Sequence, residues 1–263
     1  MIKTDQYLGA VVSTFESHPI TYSVFSGGEV HLNADHVAGA TSLTIRANLT
    51  SSERVMAFVM LVDALRRNVP HTTLKADLRY FPYARQDRVC NPGEALSAAA
   101  MAGIINSLRL DSVVLWDPHS DVSPALINNL VTVPQYELVP IGVPKIGKYM
   151  IVCPDSGARK KCLDLTTRYN LDCVFADKVR DTKTGDITGT AVYDGEKVKG
   201  RKLLIVDDIC DGGFTFIKLA EALTLYEPKS IELYVTHGIF SKGAQPLFDA
   251  GISDVHTPYA WSK

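Results

Sequence analysis

Lys202-Leu203-Leu204-Ile205-Val206-Asp207-Asp208-Ile209-Cys210-Asp211-Gly212-Gly213-Phe214-Thr215 begins as an apolar run and meets two adjacent carboxylates. Such a run reads as a buried parallel strand, expected to stop at Asp207 and Asp208. A third acid, two glycines and a threonine follow, then a helical pattern over 216–225. In open α/β sheets, ligands bind beyond the carboxyl ends of strands. The glycines let backbone N–H groups approach a ligand, and the following helix N-terminus favours anions. Acids do not bind phosphate themselves; paired carboxylates suit sugar hydroxyls or a magnesium ion. The parts describe a seat for a phosphorylated sugar, with hydroxyls on Asp207 and Asp208 and phosphate in the loop through Thr215. A plain strand–turn–helix connection with an acidic N-cap is the alternative.

Working outward, short apolar strands alternate with helical patterns. Strands are expected at 74–80, 112–116, 149–153, 173–176, 203–206 and 231–235. Thr50-Ser51-Ser52-Glu53 reads as a capping box opening a helix over 54–67, and Asn91-Pro92-Gly93-Glu94 opens an alanine-rich helix through Leu108. This βα alternation implies mostly parallel sheets. The stretch 133–148 carries prolines and glycines without helical periodicity and reads as a crossing between two similar domains. The glycine-bearing polar stretch 181–202 reads as a hairpin or mobile flap rather than core.

The chain has 263 residues, enough for one large or two medium α/β domains, and a net charge of −2 with dispersed basic residues. That argues against a nucleic-acid or anionic-membrane footprint. No apolar run approaches the ~20 residues of a spanning helix, and the N-terminus lacks a signal-peptide apolar core. Five scattered cysteines without CxxC spacing indicate neither a zinc cage nor a disulfide framework. Reduced thiols and a cytoplasmic location are expected.

Several expected strands end in polar clusters: YFPYARQDR (80–88), DPHSD (117–121), PDSG (154–157), DKVR (177–180) and THGIFS (236–241). With FSGGEV (25–30), VMLVDALRR (59–67) and VDDICDGGFT (206–215), they make the chain resemble the ribose-phosphate pyrophosphokinase family. The motifs occur in the family's order over nearly the whole chain from Phe25. The resemblance implies two tandem phosphoribosyltransferase-like α/β domains, 1–140 carrying ATP-side motifs and 141–263 carrying the ribose-phosphate loop and flap, with the active site between them. It implies transfer of ATP's β,γ-diphosphoryl group to the anomeric hydroxyl of ribose 5-phosphate, with Mg2+ as cofactor and AMP released.

The residues carried over are Lys178 and Arg180 as flap cations, with Asp211 beside them in catalysis. Phe25, Glu29, Arg85, Gln86 and Asp87 match the ATP-binding positions, the first two supplied in the family by a neighbouring subunit. Asp207, Asp208, Asp211, Gly212, Gly213, Phe214 and Thr215 match the ribose-phosphate seat, and His119 and Asp155 the metal side. The implied partners are ATP and a ribose-phosphate acceptor, in a homo-oligomer built from dimers, with no nucleic acid or membrane. Nucleotide biosynthesis is the implied setting, or NAD metabolism for a larger acceptor.

The pattern breaks in places. The family's FSDGE reads FSGGE, so Gly27 replaces an acid. Its PDIGG reads Pro154-Asp155-Ser156-Gly157-Ala158, and its DTGGT reads Asp211-Gly212-Gly213-Phe214-Thr215. Phe214 in place of glycine leaves two readings: a modestly altered cradle for ribose 5-phosphate, or a larger acceptor such as ADP-ribose packed against the ring. Longer family members also continue past the position of Lys263. A phosphoribosyltransferase would need the 207–215 loop but not the 83–88 motif or flap cations, and a catalytically silent relative would be expected to lose the latter.

Overall fold

The computed structural model describes residues 8–12, 16–37, 39–180 and 187–261. They divide into two compact units, 1–133 and 134–262. Each carries its own central sheet, as βα alternation requires.

In the first unit, β1 (Leu8–Val12), β2 (Glu16–Ile20), β3 (Tyr22–Val24), β4 (Val30–Leu32) and β5 (Ser42–Ala47) precede α1 (Ser52–Asn68). Then come β6 (Thr73–Arg79), α2 (Ser97–Ser107), β7 (Ser112–Trp116), α3 (Val122–Leu126) and β8 (Leu130–Val133). The sheet order is β2-β1-β5-β6-β7-β8. From β5 to β8 neighbours are parallel, whereas β1 runs antiparallel to both its neighbours. β3 and β4 form a separate antiparallel hairpin. Val55, Ala57, Phe58, Leu61, Val62 and Leu65 form the buried face of α1, each large side chain contributing about 1.5–3 kcal/mol.

The second unit holds α4 (Gln135–Gly142), β9 (Met150–Cys153), α5 (Arg159–Tyr169), β10 (Cys173–Arg180) and β11 (Ile187–Val192). It continues through β12 (Lys202–Cys210), α6 (Phe214–Thr224), β13 (Ser230–Gly238), α7 (Gln245–Asp249), β14 (Asp254–His256) and β15 (Tyr259–Ala260). The order is β11-β10-β9-β12-β13-β14, with β15 also on β13. β11 is antiparallel to β10, and the other pairings are parallel. From β9 the chain winds outward through α5 to β10; from β12 it winds the other way through α6 to β13. The point where strand order reverses lies between β9 and β12, where open α/β sheets hold ligands.

The structure corrects several sequence expectations. β12 does not stop at Val206 but runs through Cys210, because β13 continues beside it while pairing with β9 covers only Leu203 to Ile205. β10 likewise runs past Ala176 through Lys178 and Arg180, held by β11. The N-cap of α1 is Ser51, accepting from the N–H of Arg54, rather than Thr50. Glu53 does not close a capping box but accepts from the Tyr22 hydroxyl at 2.8 Å. Asn91–Glu94 is a turn rather than a helix start: the Glu94 carboxylate accepts from the N–H groups of Cys90 and Asn91. Within 133–148, expected to lack helix, α4 forms with Pro140 inside it. The expected flap pairs as a hairpin over 187–192, and Val198 beyond it is fully buried core. Residues 181–186 and the side chains of 178–180 lie outside the described residues. Among the described residues no helix is long and apolar enough to cross a membrane, and the five cysteines form no disulfide.

Candidate active site

In the second unit, Asp155 follows β9 while Asp207 and Asp208 lie near the carboxyl end of β12, the two strands flanking the reversal of strand order. Asp207 Oδ1 accepts from the backbone N–H of Asp208 at 2.8 Å. Burial pushes the Asp207 carboxyl well above the usual carboxylate range, and the negative charges of Asp208 and Asp155 push it further. Lys161 on α5 brings its Nζ to 3.7 Å from Asp208 Oδ2. Asp155 Oδ1 accepts from Ala158 N–H at 3.1 Å and shapes the turn into α5. Such crowded oxygens suit hydroxyl donors or a hard divalent cation.

Beyond Asp211, Gly213 adopts the left-handed conformation, φ +79°, as the N-cap of α6. A side chain there would also meet Leu247 Cδ2 at 3.0 Å. Phe214 and Thr215 therefore open the helix rather than preceding it, and first-turn N–H groups of a helix attract anions. The Phe214 ring is 52% exposed, with Lys218 Nζ 6.0 Å from its centroid. A Cβ on Gly212 would stand 3.8 Å from the Lys242 stem. The loop after β13 braces this seat: Cys210 O accepts from the N–H groups of Ile239 and Phe240, and Asp211 O accepts from Ser241 N–H. At Gly238, the last residue of β13, a Cβ would overlap the Phe240 ring, so a side chain there would displace that ring.

In the first unit, Arg85, Gln86 and Asp87 follow β6, and His119 follows β7. Arg85, Gln86 and His119 are exposed. Gln86 accepts from the Ser97 hydroxyl at 2.6 Å and from Ala98 N–H at 3.1 Å, tying the loop to the start of α2. Asp87 is buried. A hydrogen bond from Ser120 holds its carboxyl below the ordinary value, with Arg88 and His119 adding to the effect. This carboxylate joins the loops after β6 and β7. Phe25 and Glu29 stand on the β3–β4 hairpin, where Phe25 N–H bonds Glu29 O at 2.9 Å. Phe25 is 56% exposed. A Cβ on Gly27 would meet nothing within 4 Å, so packing does not exclude the family's acid there.

The seven residues expected to form the ribose-phosphate seat, Asp207, Asp208 and Asp211 to Thr215, lie in the second unit together with Asp155, expected on the metal side. Arg85, Gln86, Asp87, His119, Phe25 and Glu29 belong to the first. Sequence reading missed Lys161 and Lys242, and had Ser241 only as the last residue of THGIFS. Lys161 sits in an ordinary basic run on a helix, and only packing brings it to Asp208.

Residues 145–256 match the family model of the phosphoribosyl transferase domain, and residues 7–108 match that of the N-terminal domain of ribose phosphate pyrophosphokinase. The ribose-phosphate pyrophosphokinase of Granulibacter bethesdensis is 31% identical over 222 residues, 82% of this chain and 69% of its own length. That of Bradyrhizobium diazoefficiens is 29% identical over 239 residues, covering 86% and 73%. The crystal structure of phosphoribosylpyrophosphate synthetase from Mycobacterium smegmatis has a TM-score of 0.76 at 23% identity, covering 90% of this chain and 78% of that one. This last likeness bears on the fold.

Proposed function

The chain belongs to the ribose-phosphate pyrophosphokinase family, and from that premise we propose that it transfers the β,γ-diphosphoryl group of ATP to the C1 hydroxyl of ribose 5-phosphate. The hydroxyl oxygen attacks the β-phosphorus, the bond to the α–β bridging oxygen breaks, AMP leaves and the C1 hydroxyl proton is lost. The observation that carries the acceptor half is the run of β12 through Asp207 and Asp208 into left-handed Gly213 and the first turn of α6. A phosphoribosyltransferase would share that seat; the match of residues 7–108 to the family's N-terminal domain supports the diphosphotransferase reading.

In this reading Asp207 and Asp208 orient the ribose hydroxyls. Gly212, Gly213, Phe214 and Thr215 hold the 5-phosphate through backbone N–H groups and the Thr215 hydroxyl, and Asp211 positions that loop. Lys178 and Arg180 neutralise charge on the group in transit. Arg85 and Gln86 bind the nucleotide, Asp87 positions their loop, and Phe25 and Glu29 serve the adenine of a neighbouring subunit in a homo-oligomer. Asp155, with its oxygen donors and acidic surroundings, fits Mg2+. His119 is the less suitable ligand, since magnesium prefers oxygen. When bound, Mg2+ supplies charge neutralisation of the diphosphoryl oxygens.

A second reading, ADP-ribose as acceptor giving ADP-ribose pyrophosphate, is favoured by one observation. The exposed Phe214 ring stands beside the phosphate seat with Lys218 near it. The test is AMP release from ATP and Mg2+ with each acceptor, the diphosphorylated product identified by mass. Product from ribose 5-phosphate supports the first reading, and product from ADP-ribose alone supports the second. No AMP with either would overturn both.

A further inference from the structure

We propose that Glu232, Asp254 and His256 form a binding site for a first-row divalent metal ion, with zinc as the reference ion. β13 and β14 pair in parallel, Glu232 opposite Asp254 and Tyr234 opposite His256. Residues two apart on a strand share a face. The register therefore sets all three side chains on one face of two neighbouring strands. Nε2 of His256 lies 2.8 Å from Oε2 of Glu232 and 3.8 Å from Oδ2 of Asp254. One donor atom from each residue lies within 4.8 Å of the others. Donors about 2.0–2.2 Å from one tetrahedral zinc ion stand roughly 3.4 Å apart. Reaching that spacing asks the 2.8 Å hydrogen bond between Glu232 and His256 to open by about half an ångström and the Asp254 side chain, 63% exposed, to close in by about an ångström.

The electrostatics point the same way. Among the described residues, neither carboxylate pairs with a lysine or arginine; the imidazole of His256 lies between them. Glu232 is buried, and two acids around one imidazole leave negative charge that a divalent ion neutralises. The orientation is already set. Asp254 Oδ1 accepts from Val255 N–H at 2.8 Å, leaving Oδ2 toward His256. Glu232 Oε2 accepts from the Tyr149 hydroxyl at 2.8 Å, an outer contact of the kind that steadies metal-binding carboxylates. Imidazole with carboxylates suits zinc and its neighbours, whereas magnesium prefers all-oxygen, largely hydrated sites.

The site stands apart from the ribose-phosphate seat. Glu232 pairs with Leu204, three residues before Asp207 on β12, about 10 Å along the strand. An ion there would pin edge strand β14 to β13.

The test uses the full chain, stripped with chelator and titrated with zinc in millimolar Mg2+. Bound metal is measured by equilibrium dialysis, and cobalt(II) loading is followed by visible absorption. We expect one tightly held zinc per chain, a thermal midpoint raised by zinc, and cobalt bands that zinc displaces. His256→Ala should abolish binding. Should that variant fail to fold, Asp254→Asn, on an exposed side chain, should weaken binding at least about tenfold. No zinc retained under these conditions, or retention unchanged in Asp254→Asn, would overturn the proposal.

Discussion

Lys161 Nζ on α5 stands 3.7 Å from Asp208 Oδ2 on β12, with the two side chains 23% and 8% exposed. It places a positive charge inside the acidic cluster of Asp155, Asp207 and Asp208, where no motif had marked it. Removing this lysine takes a cation away from the buried carboxylate of Asp208, close to Asp155 and Asp207. Lys161→Met should therefore destabilise the fold by up to about 3 kcal/mol and weaken the acceptor, whereas Lys161→Arg should retain most of both. The urea midpoint at unchanged slope and the acceptor KM are the measurements. A Lys161→Met protein matching the parent in both would remove the lysine from the site.

Asp207→Asn should separate stability from binding. A carboxyl raised in the folded state holds its proton more tightly there than in the unfolded chain. The contribution of such a group to stability is greatest below the ordinary carboxylate pKa, about 3.9, and falls as pH rises toward the raised value. Burial with Asp208 and Asp155 raises Asp207 in this way. The amide should flatten that decline and make the ligand-free protein more stable at neutral pH. It should also weaken the ribose acceptor more than ATP. Urea denaturation across the acid-to-neutral range and separate affinities test both; an equal loss for ATP would move Asp207 to the nucleotide side.

Lys178→Ala should lower turnover far more than stability. Lys178 pairs through its backbone with Thr190 in the β10–β11 hairpin, and truncating its side chain leaves that ladder intact. Loss of a preorganised charge partner costs about 10²–10³ in rate. Near-native kcat in a folded Lys178→Ala protein would exclude it from the transfer step.

Phe214→Gly tests the acceptor. The ring opens α6 at the proposed phosphate seat and is exposed. If it stacks on a larger acceptor, its loss is worth about 1–3 kcal/mol by analogy with bases on aromatic platforms, roughly five- to 150-fold in affinity. The ratio of kcat/KM for ADP-ribose to that for ribose 5-phosphate should fall by that factor. An unchanged ratio would leave Phe214 no part in choosing the acceptor.

Much of the architecture was legible along the chain. Apolar runs of strand length alternating with helical patterns specified two α/β halves with mostly parallel sheets, and β7 fell at 112–116 as expected. Gly212, Gly213 and the acids before them marked the passage from β12 to α6, because a strand feeding a helix through glycines is a local pattern. Other features depended on which elements pack together. β12 carries its acids as strand because β13 continues beside it. α4 forms in a segment whose prolines and glycines masked it, with Leu138 and Val139 buried. Lys161 reaches Asp208, and Glu232 meets His256, because α5 and β14 settle against particular neighbours. Periodicity is written into neighbouring residues, so the chain carries it locally. A contact between a helix and a strand distant in sequence exists only once the sheet has assembled and set its register.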